Sequence, residues 1–195
     1  MRKCASLTGG AFSGKGSGRE EKRMIETERL ILRELREEDF EALFAVLADS
    51  DIRRHSPYTF DEKRVLNWIA KNLARYGVWG FGLWAVVWRE TGEMIGDCGL
   101  TVQEIDGAFC PEIGYHIAAR FRRRGIASEA ARAVRDWTFE RTPFRELFSY
   151  MKADNLPSRA VARKNGMRLV REFTDAEGEK TSVFSIRRED WQKGK

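Results

Sequence analysis

The chain has 195 residues, 42% of them hydrophobic, with 35 basic and 30 acidic side chains and a formal net charge of +5. That length fits one globular domain with its own core and leaves little for a second, and no apolar run approaches the ~18 residues of a membrane span. Three cysteines (Cys4, Cys98 and Cys110), an odd number without CxxC spacing, argue against a disulfide framework or a zinc site and point to a reducing, cytoplasmic setting.

Residues 1–23 hold six basic and two acidic side chains, +4 of the +5, so 24–195 carries only +1 and a nucleic-acid-binding body is not expected. The same 23 residues are rich in Gly and Ser, lack the apolar stretch of a signal peptide, and read as a disordered basic extension. Gly9 to Gly14-Lys15 has the outline of a phosphate loop, but Gly16 stands where Ser or Thr is needed and no strand precedes it. Met24 is a candidate start of the folded product.

From Ile25 the pattern becomes regular. Arg29–Arg33 alternates as a strand, and 37–47 reads as a helix with Phe40, Leu43, Phe44 and Leu47 on one face. Asp61 is placed to cap a second helix through Tyr76, with Val65, Trp68, Ile69 and Leu73 inward. Strands are predicted over 84–88, 94–102 and 112–118, with turns at Thr91-Gly92-Glu93 and Asp106-Gly107. A helix over 126–140 follows, then a strand over 146–152 and a short helix over 157–164 stopped by Asn165-Gly166. Strands over 169–173 and 181–186 flank a turn at 175–178, and 191–195 reads as a tail.

The most informative stretch is Glu112 to Ala130. A strand runs into the basic turn Arg122-Arg123-Arg124-Gly125-Ile126-Ala127, which opens a helix carrying Ile126, Ala130, Ala133, Val134 and Trp137 on one face. Such a turn aims several backbone N–H groups and the positive end of a helix dipole at one point, where a pyrophosphate fits. Gly125 lets the backbone approach the phosphates, Ala127 leaves room, and the arginines supply counter-charge. The bland reading is a solvated basic loop; the strand before it and the amphipathic helix after it weigh against that.

This turn resembles the Arg/Gln-x-x-Gly-x-Gly/Ala signature of the GNAT superfamily of N-acetyltransferases. Glu28–Arg33, Gly96–Leu100 and Pro111–Tyr115 are similar to segments of the branch that contains the ribosomal-protein alanine N-acetyltransferases. Asn155, Ser158, Val161, Lys164 and Gly166 match the family's segment against the pantetheine arm. The resemblance covers 24–190. It implies an α+β fold, a mixed, V-shaped sheet of about seven strands flanked by about four helices. The strand over 112–117 splays from the strand over 147–152, and acetyl-CoA lies in the gap, meeting free backbone groups at His116 and Ile117 and the turn from Arg122 to Ala127. No metal is implied.

Amide formation from a thioester needs a neutral amine, a stabilised oxyanion and a protonated leaving thiolate. The resemblance makes Glu112 the candidate base, acting through water, against the alternative of a glutamate paired with an arginine. An N–H near His116 or Ile117 is the candidate oxyanion donor, while the His116 side chain reads first as structural. Many relatives carry a proton-donating Tyr where this chain has Ala162, so Ser158 is the candidate donor or a pantetheine contact, against helix capping or packing. Asn155 reads as a helix cap touching the cofactor arm. Arg53–Tyr58 and Tyr76–Gly82 read as acceptor-binding loops, with Trp84 in the core and Trp79 open. Cys98 and Cys110 read as small strand residues. The expected activity is acetyl transfer to a primary amine, on a protein N-terminus or a small molecule, by a monomer or homodimer that binds neither nucleic acid nor membrane. A non-catalytic acyl-CoA-binding regulatory module is the alternative.

Overall fold

The computed structural model describes residues 24–56, 58–174 and 178–194. The 1–23 extension with its phosphate-loop outline, and most of the 175–178 turn, lie outside the described residues. One eight-stranded sheet runs in the order β1 (Ile25–Glu26), β2 (Leu30–Arg33), β3 (Leu83–Trp88), β4 (Glu93–Ile105), β5 (Ala108–Ile117), β6 (Glu146–Lys152), β8 (Lys180–Arg187), β7 (Arg168–Thr174). Every neighbouring pair is antiparallel except β5 and β6, which are parallel. The helices are α1 (Phe40–Leu47), α2 (Ser50–His55), α3 (Glu62–Trp79), α4 (Ile126–Arg141), α5 (Leu156–Lys164) and α6 (Arg188–Lys193).

The extra strand beyond the expected seven is the two-residue β1, too short to carry an alternating pattern. Two short helices also differ from expectation. Part of the supposed loop at 53–58 is α2, capped by Asp49, whose carboxylate accepts from the Asp51 N–H. The tail placed at 191–195 begins inside α6, where Trp191 is only 8% exposed and its indole donates to Asp136 at 2.6 Å.

The long α3 shows why apolar spacing misjudges a helix face. Asp61 caps it as expected, accepting from the Arg64 N–H at 2.7 Å. Leu73, expected inward, is exposed, and the buried positions are Val65, Ile69, Asn72 and Tyr76. Two polar side chains hold this face. The Asn72 amide accepts from the Leu83 N–H at 2.9 Å and donates to the Trp68 carbonyl, while the Tyr76 hydroxyl accepts from Leu35 and donates to the Leu83 carbonyl. They pin α3 to the start of β3, so the helix runs on through Trp79 where a loop was expected.

The two faces of the sheet are covered differently. Trp84 of β3 packs edge-on against Trp137 of α4, and Tyr115 of β5 reaches α5. On the other face Trp68 of α3 bonds to Asp97 of β4. On α4 the buried residues are Ile126, Ala130, Ala131, Val134, Thr138 and Phe139, with Ala133 and Trp137 only half buried. Trp84, Cys98 and Cys110 are buried in the strands as expected.

Candidate active site

β5 and β6 share one paired position, Glu112 opposite Phe148, and then separate. Their side chains still bridge the gap at two points. Ser149 Oγ donates to the Ile113 carbonyl at 3.2 Å, and the Tyr115 hydroxyl donates to the Ser158 carbonyl on α5 at 3.1 Å. The β4–β5 ladder determines which backbone groups face the gap. Ala118 N–H bonds Ile95, and Asp97 pairs with His116, so alternate residues Gly114, His116 and Ala118 turn their backbone groups to β4. Tyr115 and Ile117 therefore turn theirs to the splay. The sequence reading offered the His116 backbone for the cofactor; the ladder already uses it. Ile117 faces the splay, and its carbonyl accepts from Arg122 Nε at 2.9 Å.

The same alternation places Glu112, Gly114 and His116 on one face of β5, opposite Thr101, Gly99 and Asp97 of β4. Each titratable side chain meets a polar partner across the ladder. Thr101 Oγ1 donates to Glu112 at 3.0 Å, and His116 Nδ1 lies 2.8 Å from Asp97. Between them stand two glycines, so the strands form a floor without side chains. A Cβ on Gly99 would run into the Gly82 carbonyl, and a Cβ on Gly114 would stand 3.4 Å from the Glu112 carboxylate, which leans along the strand towards His116.

Glu112 is 9% exposed, and its burial pushes the carboxyl pKa up from 4.5 to about 7 against the opposing pull of Thr101, His116 and Arg75. No ion pair holds it among the described residues, so the arginine-paired alternative is not what the fold provides; Arg75 of α3 acts only through space. Burial also pulls the His116 imidazole down, but Asp97 outweighs that and holds it above the ordinary histidine value. Asp97 is fully buried and its second oxygen accepts from Trp68 Nε1 at 2.8 Å. Phe60 and Trp68 stand edge-on to the imidazole at 6.4 and 5.8 Å between ring centres. Tyr150, two residues beyond the paired Phe148 on β6, is partly exposed across the splay.

At the other end of β5 the basic turn opens α4. Arg123 and Gly125 both adopt left-handed backbone, φ 60 and 81, and α4 starts at Gly125 without a side-chain cap. Its first N–H groups are thus left to an external acceptor. The three arginines separate in role. Arg122 is held by Asp49 at 2.7 Å and Asp51 at 3.1 Å. Arg123 and Arg124 are exposed, Arg124 lying over the Phe121 ring. The Ile126 side chain is in the core, leaving its backbone to the turn, and Ala127 is half buried. On the far wall Asn155 caps α5, accepting from the Ser158 N–H at 3.1 Å, and Ala162 is buried.

The structure thus brings Glu112, Ile117, the turn, Asn155 and Ser158 around one splay. Sequence reasoning missed Asp97, Thr101, Arg75, Trp68 and Tyr115. Strand parity was the available signal for Asp97 and Thr101, given the hairpin turn at Asp106-Gly107. Nothing in the sequence announced the α3 residues. One cavity of about 750 Å³ lies between 24–29 and α4 and reaches Gly125 of the turn; another of about 310 Å³ lies between α1 and Ala118–Arg120. Among the described residues no cluster of three or more His, Cys, Asp or Glu could hold a metal, and no helix is long and apolar enough to cross a membrane.

Comparison with known proteins agrees with this fold. The family profile described as an acetyltransferase (GNAT) domain matches residues 29–168. The uncharacterized protein YkkB of Bacillus subtilis is 33% identical over 75% of this chain and 86% of its own. A crystal structure of an acetyltransferase from Agrobacterium tumefaciens is 28% identical, superposes with a TM-score of 0.73 and covers 89% of this chain and 99% of its own. The ribosomal L7/L12 α-N-protein acetyltransferase RimL, in complex with coenzyme A, shares the fold with a TM-score of 0.72 at 20% identity, over 85% of this chain and 98% of its own. The chain belongs to the GNAT family of N-acetyltransferases.

Proposed function

We propose that the protein moves an acetyl group from acetyl-CoA directly to a primary amine, on a protein N-terminus or a small molecule. The observation that carries this reading is the open ladder between β5 and β6, with uncapped N–H groups of α4 at one end and a buried carboxyl at the other. In this reading the pyrophosphate lies on the Arg122–Ala127 turn, with Arg123 and Arg124 as counter-charges. The pantetheine arm pairs with Ile117 and Tyr115 and runs beside Asn155 and Ser158. The Ile117 N–H points at the thioester oxygen. The likeness to RimL bound to coenzyme A supports the choice of cofactor.

Glu112 takes a proton from the arriving ammonium through water. An α-amine titrates near about 7.7–8.0 and a lysine near about 10.4, so a carboxyl near 7 suits the α-amine better. The Ser158 carbonyl is held by Tyr115 and its N–H by Asn155, which leaves its hydroxyl as the contact to the arm.

The test is thiol release from acetyl-CoA in the presence of N-terminal peptides and small amines, with an amine-free control. Amine-dependent release matched by acetylated amine is expected. Acetyl-CoA binding without release across the panel would favour the regulatory-module reading, for which the buried Ala162 in place of a hydroxyl is the supporting observation.

A further inference from the structure

Transfer to an ammonium requires the nitrogen to shed two protons, one before attack and one as the C–N bond forms. The departing thiolate needs one proton back. Glu112 in the reading above accounts for the first. No residue assigned so far handles the second, since Ala162 is buried and carries no acid.

The glycine floor between β4 and β5 has a titratable group at each end. His116 is the one facing Glu112. Its Nδ1 is committed to Asp97, a carboxylate that is itself fixed by the Trp68 indole. A carboxylate acceptor there selects the Nδ1–H tautomer, leaving the Nε2 lone pair as the basic position. Among the described residues Nε2 has no hydrogen-bond partner, and the side chain is 24% exposed. Phe60 and Trp68 block rotation of the ring. The two Cα positions are four residues apart, roughly 13 Å along the strand, and the Glu112 carboxylate leans inward over Gly114, beside the Leu83 side chain.

Resting on the acetyl-transfer reading, we propose that His116 is a catalytic residue, with Asp97 and Trp68 as its positioning residues. The neutral amine attacks the thioester carbonyl. As the C–N bond forms, the nitrogen passes its second proton to His116 Nε2. The C–S bond then breaks with its electron pair on sulfur, and the imidazolium returns that proton to the thiolate. Amide and free thiol leave, and His116 is neutral again. A thiol titrates near about 8.5, so an imidazolium is acidic enough to supply the proton. The proton that leaves nitrogen is the one that reaches sulfur, and a tyrosine at position 162 is not needed.

The charges facing His116 are Asp97 on β4, Glu112 on its own strand and Arg122 on the turn, with Arg75 on α3 beside Glu112. Asp97 dominates and raises the imidazole pKa. The test compares His116→Gln, Asp97→Asn and Glu112→Gln in the pH dependence of kcat, with acetyl-CoA affinity measured separately by calorimetry. His116→Gln is expected to lower kcat about 100-fold and to delete one of two overlapping acid limbs. Asp97→Asn moves that limb to lower pH without deleting it. Glu112→Gln removes the other limb and leaves the His116 limb in place, so failure of the Glu112 assignment and failure of this one give different profiles. Acetyl-CoA affinity stays within about twofold in all three. Nitrogen-15 shifts of the parent protein at alkaline pH, which need no variant, should show protonated Nδ1 and bare Nε2. Full kcat in folded His116→Gln, or the opposite tautomer, would overturn the proposal.

Discussion

Glu112 joins two properties in one side chain: it is buried, and it lies where the ladder opens. Burial raises its pKa to about 7, so the native state keeps a proton between pH 4.5 and 7 that the unfolded chain has lost. Stability therefore falls as pH rises through that window, and the penalty is complete above about 7. Glu112→Gln keeps the Thr101 contact and removes the penalty. The variant is expected to melt several degrees above the parent at about pH 8, on the order of 2–3 kcal/mol, and level with it near pH 4. Its turnover falls about 100-fold while acetyl-CoA binding holds, which calorimetry and thiol release check together. A residue kept at a cost to stability and needed for rate is one retained for chemistry. The sequence pointed to Glu112 only through family resemblance, and to Asp97 opposite His116 only through strand parity counted back from the Asp106-Gly107 turn. That contact exists because β4 and β5 pair in a register that sets 97 against 116 and 101 against 112. A shift by one residue would send both pairs to the other face.

Among the elements, β2, β6 and α4 were legible because each carries a period, two in the strands and near 3.6 in the helix, while β3 and β4 show as apolar runs bounded by turns, buried on both faces. The short α2 was not, since Ser50–His55 buries no residue and its position comes from ion pairs. Asp49 and Asp51 bind Arg122 on the turn, and His55 lies 3.6 Å from Asp154 ahead of α5. This segment thus touches both walls of the splay. Its carboxylates hold the one guanidinium of the turn that the proposed function does not give to the pyrophosphate. The double variant Asp49→Asn, Asp51→Asn releases Arg122 and is expected to tighten acetyl-CoA binding several-fold, a change equivalent to about 1 kcal/mol. Hydrogen exchange in 50–55 should quicken in the same protein. Unchanged affinity would mean that Arg122 serves the fold alone, through Ile117 and the two aspartates.

For the molecule as a whole, the chain uses its last described residues to close the core. Trp191 packs on Phe139 and bonds Asp136, and Arg188 donates to the carbonyls of Phe139, Thr142 and Phe144, so α6 seals the C-terminal end of α4. Trp191→Ala is expected to cost about 3–5 kcal/mol, measured by denaturant unfolding, with acetyl-CoA affinity unchanged in the folded fraction because α6 lies away from the splay. The sequence reading ended the domain at 190 because a single tryptophan among charged residues carries no period. A crystal structure of the protein soaked with acetyl-CoA would show what fills the gap between β5 and β6. The expected density has the pantetheine arm along Tyr115 and Ile117, the pyrophosphate on the Arg122–Ala127 turn, and the thioester oxygen at the Ile117 N–H. Density with the pantetheine arm outside the splay, or with the pyrophosphate away from that turn, would contradict this reading.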